Sequence, residues 1–251
     1  MPWQEHIIRE LFGWKRHDGY RKYRRCYIEI GRKQGKSSFG AGVGLYLLLG
    51  DNEPGAEIVS AACDKEQAAI VFEIAKEIVE RDPDLHKRCD VWRRSIVVPS
   101  TASSYKVLSA DVKSKHGSNL HGIIFDELHT QPTRELWDVL TTGTGARRQP
   151  LTLAMTTAGW DRESICWEQH DYAIKVRDGI IRDFEFLPVI YAADPDDDWQ
   201  LPATWAKANP SLGVTVQPEF LEAECRRAQE TPGYQNTFKR LHLNIWTQQS
   251  V

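Results

Sequence analysis

Two short stretches of this chain hold residues whose types and spacing point to phosphate chemistry. In Ile28-Glu29-Ile30-Gly31-Arg32-Lys33-Gln34-Gly35-Lys36-Ser37-Ser38-Phe39-Gly40, a Gly-Lys-Ser tripeptide follows an apolar run and opens a helical pattern. A turn between a strand and a helix aims backbone N–H groups and the positive helix end at an anion. Arg32-Lys33-Gln34-Gly35-Lys36-Ser37-Ser38 therefore reads as a cradle for the phosphates of ATP, with Lys36 reaching the β- and γ-phosphates and Ser37 ligating Mg²⁺. The usual motif has a glycine where Ile30 stands, and Gly31 comes one residue late. The tripeptide alone is a weak signal, and a glycine-relieved turn with a solvated lysine is the plain alternative. Its place between strand and helix gives it weight.

The second stretch is Gly122-Ile123-Ile124-Phe125-Asp126-Glu127-Leu128-His129. An apolar strand that delivers two adjacent carboxylates at its end needs a reason, because unpaired buried charge is expensive. A magnesium nucleotide supplies one: Asp126 would hold Mg²⁺ through water, and Glu127 would polarise the water that attacks the γ-phosphate. The alternative is an acidic pair at a helix N-terminus, favoured by the dipole. Thr156 and Thr157 end a further apolar run, placed beside the Asp126 strand. Their hydroxyls could couple Glu127 to the γ-phosphate, although β-branched residues at a strand end need no such explanation.

These groups must be held by a framework, and the patterning predicts one. Strands are expected at Tyr27–Ile30, Glu57–Ala62, Ser95–Pro99, Tyr105–Ala110, Gly122–Phe125 and Pro150–Met155, with helices over Gly35–Leu49 and Asp64–Arg81. Continuous apolar runs suit a parallel sheet buried on both faces, so the fold class is α/β, a doubly wound core running to about Ala193. Residues 194–213 turn rich in Pro, Asp and Trp, and helical patterns follow at Pro218–Glu230 and Gly233–Leu243. We read residues 194–251 as a lid or linker.

The 251 residues suffice for one ordinary globular core. A net charge of −3 argues against a protein that coats nucleic acid by overall charge, so any DNA contact must be local or assembled from several copies. The five cysteines are scattered without a CxxC pair, which suggests neither a zinc site nor a disulfide framework. No apolar run approaches the roughly 20 residues that span a bilayer, so no membrane association is expected.

The ordered series of motifs resembles the ATPase domain of the large terminase subunit, the DNA-packaging motor of tailed bacteriophages. The resemblance covers nearly all of the chain. It rests on "PWQEHIIRELFGW" (residues 2–14), "GRKQGKSS" (31–38), "LSADVKSKHGSNLHGIIFDELH" (108–129), "TTAG" (156–159), "WAKANPSLG" (205–213) and "LHLNIWTQ" (241–248). The family's phosphate loop carries an arginine and commonly lacks the first glycine, which accounts for Ile30. The resemblance implies a P-loop, RecA/ASCE-like, mostly parallel sheet flanked by helices, and Mg²⁺-dependent ATP hydrolysis coupled to translocation of double-stranded DNA. It implies Arg32 as a γ-phosphate contact or sensor, and Gln4, after Trp3, as an adenine contact. Implied partners are double-stranded DNA, the portal protein, the small terminase subunit and further copies in a homo-oligomeric ring on the procapsid. The expected state in dilute solution is a monomer, and the expected place is the host cytoplasm at the portal.

The family's trans-acting arginine finger has no clear match here. The stretch before the acidic pair offers Lys113, Lys115 and His116, and Arg147 and Arg148 are further candidates. The family's second, RNase H-like nuclease domain is expected to be absent, and DNA cleavage is not expected of this chain. The acidic residues Asp194, Asp196, Asp197 and Asp198 read as a solvated loop. Two other readings stand beside this one: a DExH helicase-type ATPase, for which a second RecA-like lobe is lacking, and an inactive nucleotide-binding assembly module, against which Lys36, Asp126 and Glu127 weigh.

Overall fold

The computed structural model describes residues 1–108 and 118–247. Lys113, Lys115 and His116 lie outside the described residues. The framework is an eight-stranded sheet formed by β1 (Arg25–Glu29), β2 (Glu57–Ala61), β3 (Asp90–Val91), β4 (Ser95–Val98), β5 (Ser103–Val107), β6 (Leu120–Asp126), β7 (Leu151–Thr156) and β8 (Phe186–Ile190). The strand order is β3-β4-β5-β2-β6-β7-β1-β8. From β5 to β8 all neighbours are parallel, while β3 and β4 add an antiparallel edge.

Alternate residues of the central strands enter different cores, as a period of two requires when both faces are covered. Cys26, Ile28, Ile58, Ile124, Leu151 and Leu153 pack on one side with α1 (Pro2–Gly13), α2 (Lys36–Leu49) and α3 (Lys65–Arg81). Tyr27, Val59, Ile123, Phe125 and Ala154 pack on the other with α5 (Glu135–Thr142) and α6 (Ile165–Arg177). A short α4 (Pro83–His86) leads from α3 into β3. A third apolar cluster joins Ala193, Trp205, Val216, Leu221, Cys225, Phe238 and Leu243, gathering α7 (Pro202–Ala208), α8 (Pro218–Glu230) and α9 (Pro232–His242).

The fold class read from the sequence is the one observed. Several bounds differ. The strand expected at Tyr105–Ala110 runs instead from Ser103 to Val107, paired antiparallel to β4 and parallel to β2. The phosphate-loop strand starts at Arg25, two residues before the expected position. Helices α1, α5 and α6 and strand β8 were not anticipated. Strand β8 contains Pro188, which cannot donate to a ladder, and it lies at a sheet edge where that donor is not needed.

Strand β7 lies between β6 and β1. Its C-terminal end therefore stands between the acidic pair that ends β6 and the loop that follows β1.

Candidate nucleotide site

At the end of β1 the chain does not turn at once. Ile30 is fully buried and its N–H donates to Thr156 O at 3.1 Å, extending the parallel ladder by one residue. An apolar residue suits that position. Gly31 lies against the C-terminal cluster, where a Cβ would meet Leu241 O at 3.4 Å and Asn209 Oδ1 at 3.5 Å, ordinary contact distances. Lys33 (φ 64°) and Gly35 (φ 86°) both take the left-handed conformation, curling the chain into α2, which Gly35 caps.

Lys36, the first residue of α2, is almost completely buried. Its Nζ donates to Ile30 O (3.3 Å), Gly31 O (3.1 Å) and Thr157 Oγ1 (3.0 Å), and lies 3.9 Å from Glu127 Oε1. Burial lowers its pKa, and Glu127 and Asp126 oppose that shift. Ser37 Oγ donates to Asp126 Oδ2 at 3.1 Å. The two stretches singled out by their chemistry, nearly ninety positions apart in the chain, thus meet at one point.

The adjacent acids are shifted in opposite directions. Burial and the neighbouring Glu127 push the Asp126 carboxyl up to about 6. Burial also acts to raise Glu127, but His129, Lys36 and Arg32 outweigh it and bring that carboxyl down to about 2. Glu127 adopts φ 52°, a conformation that costs a non-glycine residue on the order of 1 kcal/mol and is common where function demands a particular side-chain direction. His129 Nδ1 lies 3.2 Å from Glu127 Oε2 and 3.1 Å from Thr156 Oγ1, while the His129 N–H donates to the same threonine oxygen at 3.0 Å. Thr156 thereby fixes His129, and His129 flanks Glu127.

An open cleft of about 820 Å³ joins these groups. Its walls include Arg32 through Ser38 on the loop, Ile70 and Ile74 on α3, Glu127 and His129 beyond β6, and Thr215 from the C-terminal cluster. A hydroxyl and a carboxylate in contact, with room for phosphate oxygens and water, form the oxygen donor set that Mg²⁺ prefers. The residues that would hold it are Ser37 and Asp126. A cation there would also relieve the like-charge repulsion that raises Asp126.

The structure places the remaining candidates as follows. Arg32 is exposed on the cleft wall, and its N–H donates to Leu241 O at 2.9 Å. The Gln34 side chain is fully buried and turned into the C-terminal cluster, donating to Asn209 Oδ1 at 2.6 Å and accepting from Ser211 N at 3.0 Å. Gln4 is outside the cleft lining and packs behind the loop, where a Cβ on Gly35 would lie 3.5 Å from its Nε2. Trp3 Nε1 donates to Ser211 Oγ at 2.8 Å. Arg147 is committed within its own chain, to Glu53 at 3.0 Å and to the carbonyls of Asn119, Pro54 and Gly55. Both Arg147 and Arg148 precede β7, at the end of the sheet opposite the cleft.

Sequence reasoning missed His129, Asn209 and Ser211. The first stands inside the quoted acidic stretch, two residues past Glu127. The other two stand in "WAKANPSLG", with no local pattern to mark them as partners of a loop more than 170 residues away.

Comparison with known proteins decides the family. The model of the terminase large subunit, ATPase domain, matches residues 2–175, more than half of the chain. The chain belongs to the large terminase family. The large terminase subunit of Enterobacteria phage HK97 is 31% identical over 223 residues, covering 86% of this chain and 43% of that protein. The crystal structure of the HK97 large terminase superposes with a TM-score of 0.86 at 28% identity, over 98% of this chain and 50% of that one. The ATPase domain of the Thermus phage P74-26 large terminase shares the fold, with a TM-score of 0.64 at 19% identity over 95% of this chain and 98% of that one. This terminase chain thus spans about half the length of its HK97 relative. A second family model, the terminase large subunit endonuclease domain, matches residues 180–251. In this terminase those residues supply β8 and helices α7, α8 and α9. The sequence reading placed residues up to 193 in the core and residues 194–251 in a lid or linker.

Proposed function

We propose that this chain binds Mg²⁺-ATP in the cleft, hydrolyses it, and couples hydrolysis to translocation of double-stranded DNA. The observation that carries the reading is the convergence of Lys36, the Ser37–Asp126 pair and Glu127 beyond the ends of β1 and β6, the two strands that flank β7. Backbone N–H groups of the loop and the N-terminus of α2 receive the phosphates, and Lys36 exchanges its carbonyl partners for β- and γ-phosphate oxygens. Bound Mg²⁺ supplies charge neutralisation of those oxygens, held by Ser37 and Asp126. Glu127, kept ionised by His129 and Lys36, orients and deprotonates the attacking water. Arg32 meets the charge of the γ-phosphate.

Thr157 links Lys36 to the end of β7, and Thr156 links the same strand to His129. A change at the γ-phosphate is thereby felt by β7 as well as by the loop. Residues 194–251 act as a lid over the core of residues 1–193. Double-stranded DNA, a portal protein, a small terminase subunit and further copies in a ring are its proposed partners, at the procapsid in the host cytoplasm. We assign no DNA cleavage to residues 180–251, despite their match to the endonuclease model. Incubation of the chain with duplex DNA and Mn²⁺ tests that assignment, and cleavage would reverse it.

The ATPase reading is tested by Lys36→Ala. Removing the one compact cation against the phosphates is expected to abolish phosphate release and greatly weaken ATP binding. Unchanged turnover in that variant would end the reading.

A further inference from the structure

The far edge of the sheet carries a feature that nucleotide chemistry does not use. Strands β3 and β4 pair antiparallel (Asp90↔Val97, Val91↔Ile96), and the Trp92 N–H donates to Ser95 O at 2.8 Å, closing a tight turn through Arg93 and Arg94. The Val107 N–H donates to Arg94 O at 3.3 Å, so the tip is anchored to β5 as well. Trp92 is 63% exposed. Arg93 and Arg94 are exposed too, and neither has a side-chain partner among the described residues. The same holds for Lys106, whose strand position lies opposite Ser95.

An exposed indole flanked by two exposed guanidiniums joins positive charge to a flat apolar face, a combination suited to a polyanion. Among the nearby acids Asp82 caps α4 and Asp84 lies 3.7 Å from Lys87, while the exposed Asp90, opposite Val97 on β3, sets one negative charge beside the tip. The position is also informative. Strand β3 runs parallel to β5, which runs parallel to β2 and β6, so the tip lies at the same end of the sheet as Asp126. Four strand spacings separate β3 from β6, roughly 19 Å. Helix α3, whose Ile70 and Ile74 line the cleft, leads through α4 directly into this hairpin.

We propose that the hairpin tip Trp92-Arg93-Arg94, with Lys106, is the contact through which this chain grips the backbone of duplex DNA. Resting on the motor reading above, it supplies the local DNA contact that a chain of net charge −3 requires. Planar guanidiniums take phosphates bidentately, and the indole packs on the sugar face of the groove wall between them. A turn fixed by backbone hydrogen bonds transmits force where a loose basic loop would not.

The test measures binding of a short fluorescent duplex across a salt series, for the intact chain and for its variants. Arg93→Ala/Arg94→Ala should weaken binding and lower the slope of log K against log salt by about 2, one phosphate contact for each arginine lost. DNA-free ATP turnover should stay at the wild-type rate. Trp92→Ala should weaken binding several-fold with little change of slope. Arg9→Ala/Arg226→Ala removes the same charge from α1 and α8 and should leave the slope unaltered. A wild-type slope in the Arg93/Arg94 variant would overturn the hairpin assignment alone. Failure of the wild-type chain to bind any duplex would overturn the motor reading beneath it. A preference for single strands that Trp92→Ala abolishes would replace duplex gripping by base stacking and so overturn the proposal as well.

Discussion

Glu127 and Asp126 are neighbours in sequence, yet one is held near 2 and the other near 6. The difference follows from direction. Asp126 ends a buried strand and faces Ser37, whereas the left-handed backbone at Glu127 turns its carboxylate toward Lys36 and His129. Glu127→Gln is expected to keep ATP binding and lose at least about a hundredfold in turnover, the usual worth of a general base. Binding and single-turnover assays separate the two effects, and a matching loss of ATP affinity would make Glu127 a binding residue instead. His129→Ala should lower kcat with little change in KM, because it acts by orienting Glu127. Arg32→Ala should lower turnover more than it weakens ADP binding, since ADP lacks the γ-phosphate that we propose the guanidinium meets. Equal losses for ADP and ATP, measured by titration, would give Arg32 a general electrostatic role.

At the scale of elements, the phosphate loop is tied to the C-terminal cluster by Ser211, by Leu241 O and by the buried Asn209. Asn209 accepts from Gln34 Nε2 (2.6 Å) and donates to Trp205 O (2.8 Å) and His242 O (2.7 Å), so it joins the loop, α7 and α9. Asn209→Ala leaves those groups unpaired and is expected to destabilise the chain by about 1–3 kcal/mol, read from the denaturant midpoint. At the opposite end of the sheet, Arg21 forms a bidentate pair with Asp51 (2.9 and 3.0 Å), and His121 Nε2 adds a contact of 2.6 Å to the same carboxylate. Burial raises Asp51, but His121 and Arg21 together bring it below the usual carboxylate range. A depressed carboxylate stabilises the fold above its unfolded-state pKa, and that contribution is lost as pH falls through the folded-state value. Arg21→Met, which leaves Asp51 buried without its main partner, should cost about 3–5 kcal/mol at neutral pH. An unchanged midpoint would mean that Asp51 is better solvated than its surroundings indicate.

Much of this framework is legible in the chain because the central strands are continuous apolar runs and α2 and α3 carry clear helical periodicity. Lys36, Ser37, Asp126 and Glu127 stand out for the same reason: their chemistry is local to a strand end or a turn. What escaped notice depends on distant partners. Strand β8 is masked by Pro188, and the burial of Gln34 depends on Asn209 and Ser211, which no local pattern connects to the loop. The antiparallel edge is likewise invisible to periodicity, since a short strand reads the same in either direction.

On the scale of the whole molecule, the site is open, and Arg32 is the one arginine of the phosphate loop, beside Lys36. A second arginine given by a neighbouring copy is worth about 10³ to 10⁵ in rate in other phosphate-loop hydrolases. Arg147 is engaged by Glu53 and three carbonyls, which leaves the exposed Arg148 as the freer of the two sequence candidates. The most direct test of the account is the rate of Mg²⁺-ATP hydrolysis per chain as protein concentration rises, with and without duplex DNA, using Glu127→Gln as the blank. The account predicts slow turnover in dilute solution that rises with concentration, rises further on duplex DNA, and is absent in the variant at every concentration. Hydrolysis that survives Glu127→Gln undiminished, or no hydrolysis by the native chain under any of these conditions, would contradict it.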